Sequence, residues 1–115
     1  MTRPIFKILS TEQWTLTQSI GKIQGAAIDL QDGFIHLSAR DQVEATAEKH
    51  FAGQEDLVLI QVDEEKLGDT LRWEVSRGGA VFPHVYGTIP LTSIIQSWPL
   101  RIGANGQHHF PWNDQ

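Results

Sequence analysis

The stretch Leu57-Val58-Leu59-Ile60-Gln61-Val62 constrains the fold more than any other. It holds one polar residue and three β-branched ones, with no alternation of polar and apolar side chains. A strand wetted on one face alternates, whereas a continuous apolar run reads as a central strand covered on both faces. The rest of the chain must therefore flank this strand and cover it above and below. Ile5-Phe6-Lys7-Ile8-Leu9 reads as a second strand, with Lys7 on the face opposite Phe6 and Ile8. Leu71-Arg72-Trp73-Glu74-Val75 alternates, which sends Arg72 and Glu74 to one face and the three apolar residues to the other. Residues 81–91 are extended pieces interrupted by Pro83, Gly87 and Pro90. Ser97-Trp98-Pro99-Leu100-Arg101-Ile102 reads as a last edge strand.

Two helices stand out, both early in the chain. Ser10 and Gln13 have the capping-box spacing, and a helix follows to about Ile20 with Gly21 as its stop. A second helix covers about residues 40–52, with Ser38 or Asp41 as its cap and Val43, Ala47 and Phe51 as its apolar stripe. Asp63 to Leu67 reads as a helical turn. Residues 21–33, punctuated by glycine and aspartate, read as an irregular connection of the kind that lies over a site. The sum is one α+β domain over residues 1–102, a mixed but mostly antiparallel sheet with helices to one side. Residues 103–115 are a tail, or an arm packed by Trp112.

Composition removes several function classes. With no cysteine, disulfides and thiolate metal sites are excluded. The formal net charge is −5 and no Lys/Arg cluster exists, which disfavours nucleic acid as a main partner. No window approaches the ~18 apolar residues of a membrane span, and the start Met1-Thr2-Arg3-Pro4 shows no secretory pattern. A cytoplasmic protein without membrane contact is expected. Nucleotide-fold fingerprints and the nucleophile elbow are absent too.

What remains is a cluster of polar residues on an apolar scaffold. Asp32-Gly33-Phe34-Ile35-His36-Leu37-Ser38 reads as a turn, a buried strand and a polar exit, with Phe34 and His36 on one face. In Phe82-Pro83-His84-Val85-Tyr86-Gly87, Pro83 fixes the backbone before His84 and Gly87 gives freedom after Tyr86. Histidine titrates near neutrality, so His36 and His84, with Glu74, are the acid–base candidates. Lys7, Ser38, Arg72 and Tyr86 are candidate ligand-binding residues. Plain structural roles compete: a satisfied core histidine, a surface Arg72–Glu74 pair, an aromatic turn that packs. A metal is not expected, because no two histidines have ligand spacing within one element and the adjacent His108 and His109 would diverge.

In their order and spacing, Ile5-Phe6-Lys7-Ile8, Asp32 to Ser38, Arg72-Trp73-Glu74 and Phe82 to Gly87 resemble the small bacterial family labelled domain-of-unknown-function 952. The resemblance spans about residues 4–100 and brings no established activity. It implies a curved, split sheet like that of ADP-ribosyltransferases, with NAD as a possible ligand. By that fold analogy His36 would hold a ribose, Arg72 a phosphate, Tyr86 would stack, and Glu74 or His84 would act on the acceptor. An enzyme acting on a nucleotide-like or phosphorylated small molecule is the leading expectation, and a binding module using the same cleft is the alternative. No glutamate follows Glu74, whereas the transferases carry theirs late in the chain.

Overall fold

The computed structural model describes residues 3–25 and 27–114. Its strands are β1 (Ile5–Ser10), β2 (Lys22–Ile23), β3 (Ile35–His36), β4 (Ser38–Ala39) and β5 (Leu57–Val62). They continue with β6 (Leu71–Val75), β7 (Val81–Val85), β8 (Ile89–Pro90), β9 (Ile94–Ile102) and β10 (His108–His109). The helices are α1 (Thr11–Ile20), α2 (Ala27–Asp32), α3 (Val43–Phe51) and the single turn α4 (Glu64–Leu67).

The architecture is α+β, and every strand pairing among the described residues is antiparallel. β5 lies in a five-stranded sheet of order β10-β9-β5-β1-β4, between β1 and β9, as its apolar run requires. A three-stranded sheet, β3-β7-β6, and the pair β2-β8 complete the strands.

Successive residues of β5 feed two separate cores. Val58, Ile60 and Val62 join Ile5, Leu9, Ile35, Val85 and Ile89. Leu57 and Leu59 join Phe6, Ile8, Val43, Ala47, Leu100 and Phe110. The two longer helices therefore cover opposite faces, not one side as the sequence pattern suggests. Trp14 of α1 packs on the first core, and Val43 and Ala47 of α3 belong to the second. A central strand that is apolar on both faces leaves neither face to water, so each face takes a helix.

Local chemistry sets the boundaries. Ser10 and Gln13 form the expected reciprocal capping box at 3.0 Å in both directions. Gly21 closes α1 at φ +94°, a conformation that suits a residue without Cβ. Neither Ser38 nor Asp41 caps α3. Ser38 lies in β4, and the cap position is Gln42, whose carboxamide makes no cap bond because it accepts from the Ala39 amide and donates to the Val81 carbonyl.

Residues 21–33 contain the helix α2, which periodicity cannot show in six residues. β9 starts earlier than expected, at Ile94, and is not the edge, since β10 pairs beyond it through His108↔Ile102 and His109↔Arg101. The C-terminal arm packs. Phe110 is buried, Trp112 stacks on it at 5.2 Å, and Trp112 meets Phe6 edge-on at 5.2 Å.

Candidate functional site

The site forms where one strand changes sheets. β3 pairs with β7, through Ile35↔Val85 and His36↔His84. Two residues later the chain has crossed to the large sheet, where β4 pairs with β1 only at Ile5↔Ala39 and Phe6↔Ser38. Leu37 is the pivot, and its amide donates to the Pro83 carbonyl at 3.0 Å. Beyond Phe6 this flank of β1 has no strand against it among the described residues. A cavity of about 640 Å³ lies in that gap, with Phe6, Lys7, Phe34, His36, Ser38 and His84 in its wall.

The strand faces divide as the alternation requires. Ile35 and Val85 enter the core while His36 and His84 look to the cavity. The two imidazole rings are 5.6 Å apart, near-perpendicular at 71°. Phe34 lies against both, stacked on His84 at 4.2 Å and tilted on His36 at 4.8 Å.

Each imidazole is held by a carboxylate. Asp29, buried in α2, accepts from Nδ1 of His36 at 2.6 Å and from the His36 amide at 3.1 Å. Nε2 of His36 faces Oδ2 of Asp32 at 2.9 Å. An ionised carboxylate only accepts, so both His36 bonds are complete when each ring nitrogen carries a proton. Nδ1 of His84 meets Oε1 of Glu74 at 2.9 Å, and the hydroxyl of Tyr86 donates to that same oxygen at 2.7 Å. These two bonds hold the Glu74 carboxyl below the usual range, the His84 bond contributing most. The same bond to Glu74 pushes the Tyr86 hydroxyl up.

Lys7 enters from the middle of β1. Its Nζ donates to the His36 carbonyl at 3.0 Å and lies 3.5 Å from Oδ2 of Asp29. Burial pushes the Lys7 ammonium down, against the opposing pull of Asp29. Asp29 thus ties the lysine and the histidine of the site together.

Residues 8–97 match the model of a family described as proteins of unknown function, DUF952. The chain belongs to the DUF952 family. Its fold is similar to the crystal structure of protein CC0527 from Caulobacter crescentus, at 45% identity and a TM-score of 0.87. That match covers 92% of this chain and 93% of CC0527. The solution NMR structure of CC0527 matches at 46% identity and TM-score 0.82, over 90% of each chain. No curated protein matches.

In this DUF952 chain the sequence-predicted residues fall into two groups. Lys7, His36, Ser38 and His84 line the cavity. Ser38 is also spent structurally, its hydroxyl 2.9 Å from that of Thr46 on α3. Glu74, Arg72 and Tyr86 lie behind His84, outside the cavity wall. Glu74 touches the wall through His84 and, by way of Tyr86, backs onto Phe34, while Arg72 sits over the Tyr86 ring at 5.4 Å. Sequence reasoning missed Asp29, Asp32 and the wall formed by Phe6, Phe34, Phe51 and Phe82. One signal was available: Lys7, midway along an apolar strand, requires a counter-charge. No group of three or more potential metal ligands occurs among the described residues. No described helix is long and apolar enough to cross a membrane.

Proposed function

We propose that this DUF952 protein is an enzyme that binds a flat, nucleotide-like small molecule in the cavity and acts on it by acid–base catalysis. The observation that carries this reading is the pair of facing imidazoles, each oriented through Nδ1 by a carboxylate. A carboxylate on Nδ1 fixes the tautomer and leaves Nε2 to address a ligand. His84 has this arrangement, with a lone pair on Nε2 as general base. His36 bonds carboxylates through both nitrogens and serves as the proton-bearing partner. The cavity has the size of a small-molecule site. Its phenylalanines and the Phe34–His84 stack give a platform for a planar ring.

The ADP-ribosyltransferase analogy supplies the finer version, with NAD as ligand. A cleft opening where antiparallel sheets separate supports it, as does an ionised Glu74 next to the site, since a carboxylate stabilises an oxocarbenium-like transition state. Glu74 lies one residue back from the wall, and in this reading it acts through His84. Arg72, set over Tyr86, would meet a phosphate only at the rim.

The test is an amide-resolved NMR titration with NAD, followed by a turnover assay on the same sample. Saturable shifts confined to residues 34–38 and 82–86, with NAD consumed, support the enzyme. Absence of shifts at millimolar NAD removes the nucleotide. A binding module is the second reading, and the double carboxylate clamp on His36 favours it, because a ring bonded at both nitrogens suits holding more than proton transfer. Saturable shifts without turnover would select it.

A further inference from the structure

Lys7 is the nucleophile that the acid–base reading leaves unused. It is one of four lysines, and Lys22, Lys49 and Lys66 are exposed while the Lys7 side chain is 11% exposed in the cavity wall. It projects from the middle of β1, where Ile60 pairs with it across the sheet. An ammonium has three N–H donors, and the contacts with the His36 carbonyl and Asp29 account for two. The Asp29 contact, at 3.5 Å, is longer than a good charge-assisted bond. Phe6, Phe34 and Phe82 border the same space, and the burial of the side chain itself desolvates the charge.

We propose that Lys7 captures an aldehyde or ketone carried by a planar apolar molecule, forming an imine in the cavity. The neutral amine attacks the carbonyl carbon through its nitrogen lone pair, giving a carbinolamine. Asp29, 3.5 Å from Nζ, takes the proton released from nitrogen and returns it to the departing hydroxyl. One water leaves, carrying the carbonyl oxygen and both amine hydrogens, and no electrons change hands. Burial favours the neutral amine that the first step needs, as in other lysines activated in apolar pockets. The phenylalanine walls fit the ring, and an imine formed there is shielded from hydrolysis.

The proposal needs the cavity but not the nucleotide. A failed NAD titration therefore leaves it standing, and its own failure leaves the nucleotide reading untouched. The test treats the intact protein at neutral pH with benzaldehyde and sodium cyanoborohydride, which reduces imines to stable amines. Peptide mass spectrometry then follows the rate at each lysine. Lys7 should be benzylated roughly tenfold faster than Lys22, Lys49 or Lys66, as an activated amine is. The preference should vanish when the protein is unfolded in urea. Equal rates at all four lysines, or labelling of the exposed three alone, would overturn the proposal. So would a Lys7 preference that persists in urea, since that would come from local sequence and not from the cavity.

Discussion

His36 and His84 are cross-strand partners, and both present Nδ1 to a carboxylate, Asp29 at 2.6 Å and Glu74 at 2.9 Å. The two carboxylates arrive from different elements, α2 and β6, so the symmetry is one of chemistry and not of topology. It also makes the pairs unequal. Asp29 is buried, while Glu74 is 35% exposed. Stability should depend strongly on the first carboxylate and weakly on the second.

Asp29→Leu leaves the Lys7 ammonium and the His36 ring without their buried acceptor. Removing one partner of a buried pair costs about 3–5 kcal/mol, since the remaining charge stays desolvated. Replacing both partners, as Lys7→Met with Asp29→Leu, should recover a large part of that loss. Urea denaturation of the two single variants and the double variant checks this. Losses that simply add would mean that Lys7 and Asp29 do not share their energetics.

Glu74→Gln keeps the shape and an acceptor but removes the charge that orients His84. The melting temperature should stay within a few degrees. If His84 is the general base, turnover should fall about 10²-fold or more, the scale of a misdirected acid–base group. Thermal melts alongside a turnover assay separate the two effects. A large drop in melting temperature would make the Glu74–His84–Tyr86 group structural.

The Glu74–Tyr86 bond gives a pH signature with two edges. Glu74 titrates lower in the folded protein than its ordinary 4.5, so its contribution is complete above 4.5 and is lost as pH falls through the lowered value. Tyr86 titrates higher than its ordinary 10.0, so its contribution is complete below 10.0 and is lost as pH rises through the raised value. The stability difference between the native chain and Tyr86→Phe should therefore be flat through neutrality and shrink at both extremes. Urea midpoints measured from acid to alkaline pH test this, and a difference unchanged at both ends would contradict it.

The sheet frame was legible because it rests on local pattern. The apolar run of β5, the alternation of β6 and the Ser10–Gln13 cap each report on their own surroundings. The faces of His36, Arg72 and Glu74 followed from period two. What stayed hidden depends on partners distant in sequence. The run Phe34–Ser38 reads as one strand, yet Leu37 hands it from β7 to β1, and that choice is made by tertiary neighbours. Asp29 looked like loop chemistry because α2 is too short to show a period. Its role comes from two residues, Lys7 and His36, that only the fold brings beside it.

On the alkaline limb of the stability curve Lys7 and Tyr86 pull in opposite directions. Lys7 titrates below its ordinary 10.5 in the folded protein because burial disfavours the ammonium. Between the lowered value and 10.5 the unfolded chain binds the extra proton, so stability rises with pH. Below the lowered value both states are protonated, and the full desolvation cost is present. Above 10.0 Tyr86 masks part of this rise in the native chain, because its own contribution is lost there. In a Tyr86→Phe background the mask is gone, and the rise should be visible relative to Tyr86→Phe combined with Lys7→Met. The exposed lysines are common to both proteins and cancel in the difference. Urea midpoints from neutral pH upward give that difference directly. A flat line would mean that the Lys7 ammonium loses nothing on burial, and the activated amine would lose its physical basis.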